Sequence, residues 1–199
     1  MLQLLGCGVA LRQGAGGSQQ SYPHWRGEGT AFRGWVDVKN GAVAEGISLL
    51  RIGIAAYRAT GAELYVPHHL AVLARACDIA GQFDEALSLL DDALRIVERT
   101  GERWFAAELF RYKGQLQLRQ GCSAAAEELY RQALNIARTQ GARLWELRAA
   151  VSLARLRRDH GRHAAARELL APVYGWFTQG FDTPDLKEAK GLLDSLIIT

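Results

Sequence analysis

Glycine stands at positions 41, 61, 81, 101, 121, 141 and 161. A spacing of 20 held over seven glycines restricts the chain to architectures that repeat, because an irregular globule has no reason to keep such a register. The segments between the glycines alternate in kind. After Gly81, Gly121 and Gly161 come QFDEALSLLDDAL, CSAAAEELYRQAL and RHAAARELLAPVY, which align without gaps and place Ala86, Ala126 and Ala166 in one column and Ala93, Ala133 and Val173 in another. After Gly61, Gly101 and Gly141 come AELYVPHHLAVLARA, ERWFAAELFRYKGQL and ARLWELRAAVSLARL. The repeating unit is therefore 40 residues long and made of two unlike halves.

Each half is about 17 residues with apolar positions at steps of three and four and almost no internal proline, the pattern of an amphipathic helix. A glycine at each end supplies the left-handed residue that stops one helix and turns the chain into the next. One unit is thus a helical hairpin. Gly34, Ala74, Gly114 and Ala154 form a small-residue column on the first helix of each hairpin, where a missing side chain lets two helices cross closely. In GQFDEALSLLDDAL, Asp84 and Glu85 fall in the first turn of a second helix and suit its dipole, and no acid pair recurs in the matching columns, which hold Ala124, Ala125, Ala164 and Ala165.

The residues Gly81, Phe83, Ala86, Leu90, Ala93 and Leu94, and again Gly114, Gly121, Ala126, Tyr130, Ala133 and Leu134, resemble the tetratricopeptide repeat (TPR), in which glycine precedes an aromatic residue and two spaced alanines. Two departures stand out: the unit has 40 residues rather than the usual number, implying longer helices, and the closing proline is replaced by Thr60–Gly61 and Thr100–Gly101. More narrowly, AAYRATGAEL, ALRIVERTGERW, QALNIARTQGARLWELRAAVSLARL and LLAPVYGWFTQGFDTPDLKEAKGLLDSL are similar to the C-terminal TPR region of large bacterial signalling proteins. In those, a class III adenylate/guanylate cyclase or a DNA-binding domain precedes an ATPase and then helical repeats. The similarity covers roughly residues 31–197 and carries over neither the cyclase nor the ATPase activity. It implies an all-α, right-handed α-α superhelix of four hairpins, at about 22–60, 61–100, 101–140 and 141–180. A C-terminal capping helix follows within 181–199, and a flexible segment, 1–21, precedes the repeats.

The two ends differ in clarity. TPDLKEAKGLLDSL begins with Thr183 as N-cap, Pro184 at the first helical position and Asp185 near the positive dipole end, and its Leu186, Ala189, Leu193 and Leu196 form one stripe able to shield the last repeat. Residues 22–40 carry Pro23, Gly27 and Gly29, with Arg33 and Asp37 at positions usually apolar, so the first helix is expected to fray. A shortened parent protein and a natural polar cap both account for that.

Composition narrows the function. The 199 residues are 49% hydrophobic with a net charge of +3, and 20 of the 24 basic residues are Arg. This balance is weaker than a nucleic-acid-binding domain usually shows. Cys7, Cys77 and Cys122 make no paired motif, so neither a disulfide framework nor a zinc site is expected, and reduced cytoplasmic thiols are the plain reading. No stretch approaches the roughly 20 apolar residues that span a bilayer. His68 and His69 diverge around their helix, His160 and His163 flank a turn, and no nucleophile or phosphate-loop motif is readable, so no enzyme, cofactor or metal is expected.

In TPR superhelices the first helices line the concave surface, and the resemblance carries that register onto this chain. It selects Trp35 and Lys39, then His68, Arg75 and Asp78, then Glu108, Arg111, Gln115 and Arg119, then Arg148, Arg155, Arg158 and Asp159. Six arginines against three acids in repeats two to four make this groove locally basic. It suits an acidic or C-terminal-carboxylate peptide, a partner domain, or domains of a parent protein. The alternative is a sensor for a small anionic effector; a sensor needs an enclosed pocket, a peptide an open groove.

Overall fold

The computed structural model describes residues 23–197. The flexible segment expected at 1–21, and Cys7 with it, lies outside the described residues. Nine helices follow in order among them: α1 Pro23–Lys39, α2 Val43–Ala59, α3 Val66–Ile79, α4 Phe83–Thr100, α5 Ala106–Arg119, α6 Ser123–Thr139, α7 Arg143–Asp159, α8 His163–Gly175 and α9 Pro184–Ser195. Each odd helix pairs with the next even one, and beyond that helices touch only the adjacent hairpin: α3 packs on α1 and α2, α5 on α3 and α4, α7 on α5 and α6, α9 on α7 and α8. Such nearest-neighbour stacking defines an α-solenoid.

The glycine ladder does what its spacing requires. At Gly81, φ is 75°, its N–H donates to the Asp78 carbonyl and the Gln82 N–H to the Cys77 carbonyl, satisfying the last carbonyls of α3. The alanine columns close the hairpins: Ala86, Ala126 and Ala166 are wholly buried, as are Ala93 and Ala133. Gly114 seats the ring of Tyr130, whose Cε1 would lie 2.6 Å from a β-carbon at that position. Cys77 is buried, and burial pushes its thiol up to about 11, as befits a small apolar residue rather than a nucleophile.

The expectation that the first helix frays needs correction. α1 runs unbroken from Pro23, and its Gly27 and Gly34 are contact points rather than weak points. Gly27 and Gly34 face Gly53 and Gly46 of α2, each pair seven residues apart. A β-carbon on Gly34 would lie 2.6 Å from the Gly46 carbonyl oxygen, and one on Gly53 would lie 2.5 Å from the Ala31 nitrogen. Backbone meets backbone, and this contact offsets the ~1 kcal/mol that each helical glycine costs. Arg33 is simply exposed.

The cap also holds a difference. Thr183 has the extended backbone of an N-cap, yet its hydroxyl donates to the Gly180 carbonyl at 2.7 Å instead of accepting from the first turn. α9 is in register with the first helices: Leu186, Ala189, Leu193 and Leu196 fall 40 residues after Glu146, Ala149, Leu153 and Leu156, and all eight are buried. In the columns of the buried Ala150 and Ala154, α9 instead carries exposed Lys190 and Asp194, ion-paired at 2.9 Å. α9 is thus a first helix whose outward face is polar where that of α7 is apolar. In VYGWFTQGF, Phe177 packs on the core while Trp176 stays exposed beneath the Arg143 guanidinium.

Candidate functional site

Two connected cavities lie along the first-helix face. One, about 220 Å3, sits between α3 and α5 and is lined by Arg75, Asp78, Tyr112, Gln115 and Arg119 among others. The second, about 310 Å3, spans α5, α7 and α9 with Arg75, Arg111, Tyr112, Gln115, Arg148, Arg155, Asp185 and Glu188 on its walls. Arg75, Tyr112 and Gln115 belong to both, so the two join into one groove running across repeats. The helical register explains this: Arg75, Gln115 and Arg155 share one column at 40-residue intervals, and Tyr112 and Ser152 another three residues earlier on the same faces.

The guanidinium groups of the groove are largely engaged. Arg119 pairs with Asp78 at 2.5 Å, Arg155 with Glu188 at 2.6 Å and Arg158 with Asp159 at 2.8 Å. Arg148 donates twice to Asp185, at 2.8 and 3.0 Å. Arg111 grips both oxygens of Glu108 at 2.7 and 2.9 Å, and Arg148 reaches the same carboxylate at 3.6 Å. Burial works against the charge of Arg111, but the hydrogen bonds and attraction of Glu108 outweigh it and hold the guanidinium's proton more tightly than usual.

Arg75 differs. Its guanidinium lies 4.9 Å from the Trp35 ring and 5.0 Å from the Tyr112 ring, and donates to the Tyr112 hydroxyl at 3.3 Å. Among the described residues no carboxylate pairs with it. Two aromatic rings flank it where it lines both cavities, an arrangement suited to an incoming anion.

Not every residue of the expected set lines the cavities: Trp35, Lys39 and Asp159 line neither, Trp35 meeting the groove only through Arg75. Glu108, expected as a groove contact, is 1% exposed and fully used by arginines. His68 packs against Phe105 and Trp104, at 4.8 and 5.8 Å, and lines neither cavity; Arg158 lines neither as well. The groove is Arg-rich but not strongly basic, because α9 adds two acids: along the two cavities the five guanidinium groups of Arg75, Arg111, Arg119, Arg148 and Arg155 meet the three carboxylates Asp78, Asp185 and Glu188, a net of two. Tyr112, Asp185 and Glu188 were missed. Glu188 was within reach, since it falls one period after Arg148.

Beside the groove, Tyr65, Trp104, Phe105 and Trp145 form a chain of ring contacts along the starts of α3, α5 and α7. Beneath it His69 is buried, edge-on to Tyr57 at 5.0 Å, and neither ring nitrogen has a hydrogen-bond partner. Burial and the nearby His68 push it down to about 4. The folded chain therefore keeps this imidazole neutral, while the unfolded chain protonates it below about 6.5. Stability present above that pH drains away toward pH 4, by about 2 kcal/mol at pH 5 from His69 alone. Urea melts from pH 7 to pH 5 check this: the midpoint falls in the wild type and falls less in His69→Phe.

Acids of α4 have structural duties: Glu85 in its first turn pairs with Arg51 at 2.6 Å, and Asp91 at its middle with Lys113. Among the described residues no His, Cys, Asp or Glu cluster could hold a metal ion, and no helix is long and apolar enough to cross a membrane.

Fold and groove together define the chain as a TPR-like helical-repeat solenoid. No protein-family model matches it. It is 31% identical over 132 residues to an uncharacterized protein of Rhizobium meliloti (strain 1021), a match covering 65% of this chain and 13% of that protein's length. A kinesin light chain with nearly identical TPR-like repeats from Podosopora anserina superposes with a TM-score of 0.68 at 23% identity, over 87% of this chain and 85% of that one. A signal transduction ATPase with numerous domains (STAND) from Pyrococcus horikoshii, which has a tetratricopeptide repeat sensor, gives 0.73 at 14% identity over 90% of this chain and 28% of that one.

Proposed function

We propose that this chain is a non-catalytic interaction module whose first-helix groove binds a carboxylate-bearing peptide or the surface of a partner domain. The observation that carries the reading is the continuous groove from α3 to α9 with Arg75 at its centre, uncompensated by any carboxylate among the described residues. Openness along several repeats favours an extended occupant over an enclosed effector. The organisation that goes with it is four interaction repeats at about 22–60, 61–100, 101–140 and 141–180, closed by 181–199.

The parent context we infer is a bacterial multidomain signalling ATPase or nucleotide cyclase of the cytoplasm, of which the chain is a part or a relative. Support comes from the resemblance of residues 31–197, from the long Rhizobium relative and from the repeat sensor of the STAND neighbour. A second reading, a sensor for a small anionic effector, draws on the 310 Å3 cavity, which lies at the lower end of the ~300–1,000 Å3 typical of ligand pockets.

Selection of random peptides on the full chain tests the first reading. Enriched sequences should carry carboxylates and bind Arg75→Glu at least about tenfold more weakly, at unchanged melting temperature. Equal binding by Arg75→Glu removes the groove from the account.

A further inference from the structure

The carboxylates that neutralise the far half of the groove come from α9. Asp185 and Glu188 stand one helical turn apart at the start of α9 and engage Arg148 and Arg155 of α7, two arginines of the second cavity. α9 also has an apolar hold on the stack, because its Leu186, Ala189, Leu192, Leu193 and Leu196 are buried against it. The Arg155–Glu188 pair is about half exposed on both sides, so water and salt screen it and it exchanges readily. The Arg148–Asp185 pair is bidentate and more sheltered.

We propose that Asp185 and Glu188 are a built-in competitor for the groove's arginines, lowering its affinity for acidic segments so that only Arg75 is open without displacement. This rests on the groove reading above. An acidic occupant must displace Glu188, and then Asp185, before it gains Arg155 and Arg148, while strongly polyanionic ligands are repelled by the two fixed charges. The competitor sits on a helix in first-helix register, and Glu188 itself lines the second cavity beside Arg148 and Arg155, the arginines a ligand there would engage.

The test uses the full chain and a fluorescein-labelled polyglutamate peptide, read by anisotropy at low and at physiological ionic strength. Asp185→Asn/Glu188→Gln should bind about tenfold tighter than wild type, with a steeper salt dependence. Glu168→Gln/Asp194→Asn, which changes net charge equally on exposed residues lining neither cavity, should stay within about twofold. If the acids only fasten α9 to α7, Asp185→Asn/Glu188→Gln will melt earlier and bind no better, which overturns the proposal. Equal binding by wild type and Asp185→Asn/Glu188→Gln at equal melting temperature overturns it too, and leaves the groove reading standing. Binding by neither sinks the acidic-ligand reading and the competitor with it.

Discussion

Replacing Arg111 by leucine while Glu108 stays in place will destabilise the fold by about 3–5 kcal/mol, a large share of what a domain this size has to lose. The cause is the carboxylate left behind. Glu108 is 1% exposed, its two oxygens are held by Arg111, and Arg148 remains 3.6 Å away with its own hydrogen bonds committed to Asp185. A buried charge stripped of its partner must either stay ionised in a poor solvent or take up a proton. Removing both members tells the pair's net worth: Glu108→Leu/Arg111→Met should recover most of the loss, because desolvation of the pair roughly balances its attraction. The neighbouring repeats support that, for Ala71 and Val151 fill the Arg111 column with apolar side chains. Urea unfolding of the two variants against wild type checks both statements. Arg111 is therefore a poor reporter of ligand contact, and Arg75 a good one.

The second large effect is on the first hairpin. Gly53→Ala should cost about 2–3 kcal/mol, although alanine is the better helix former by about 1 kcal/mol. Its β-carbon would sit 2.5 Å from the Ala31 nitrogen and 2.6 Å from the Gly27 oxygen, backbone atoms that cannot rotate aside. The only relief is to push α1 off α2. Gly29→Ala, whose β-carbon meets nothing within 4 Å, should instead gain up to about 1 kcal/mol. Opposite signs for two glycine replacements in one hairpin, read by chemical denaturation, separate close packing from propensity.

Those glycines also show where sequence reasoning loses its grip. The 20-residue ladder and the columns Ala86/Ala126/Ala166 and Ala93/Ala133 could be read outright, since every repeat reports the same constraint independently. Gly34 could be read too, from its small-residue column, but Gly27 could not, because a glycine inside a helix looks like a defect until the facing helix is known to carry Gly53. The groove behaved likewise. Register placed Arg75, Gln115, Arg148 and Arg155 on one face, but the ion pairs that decide which of them is open join different helices: Arg148 to Asp185, Arg155 to Glu188, Arg119 to Asp78. Local charge patterning sees only partners three or four residues apart, so it overstated the basic character of the groove. Carrying the 40-residue register one step further, from Arg148 to Glu188, would have exposed one of the missing acids.

The central claim is that the first-helix groove, and not the opposite surface, is where this chain meets its partner. Photocrosslinking in bacterial cells tests it directly, with benzoylphenylalanine placed at Tyr112 in the groove or at Arg131, which is exposed on the second helix of its repeat. The account predicts a discrete crosslinked adduct from position 112, lost on adding Arg75→Glu, and none from position 131. Adducts from position 131 alone, or an adduct at 112 indifferent to Arg75→Glu, would contradict it.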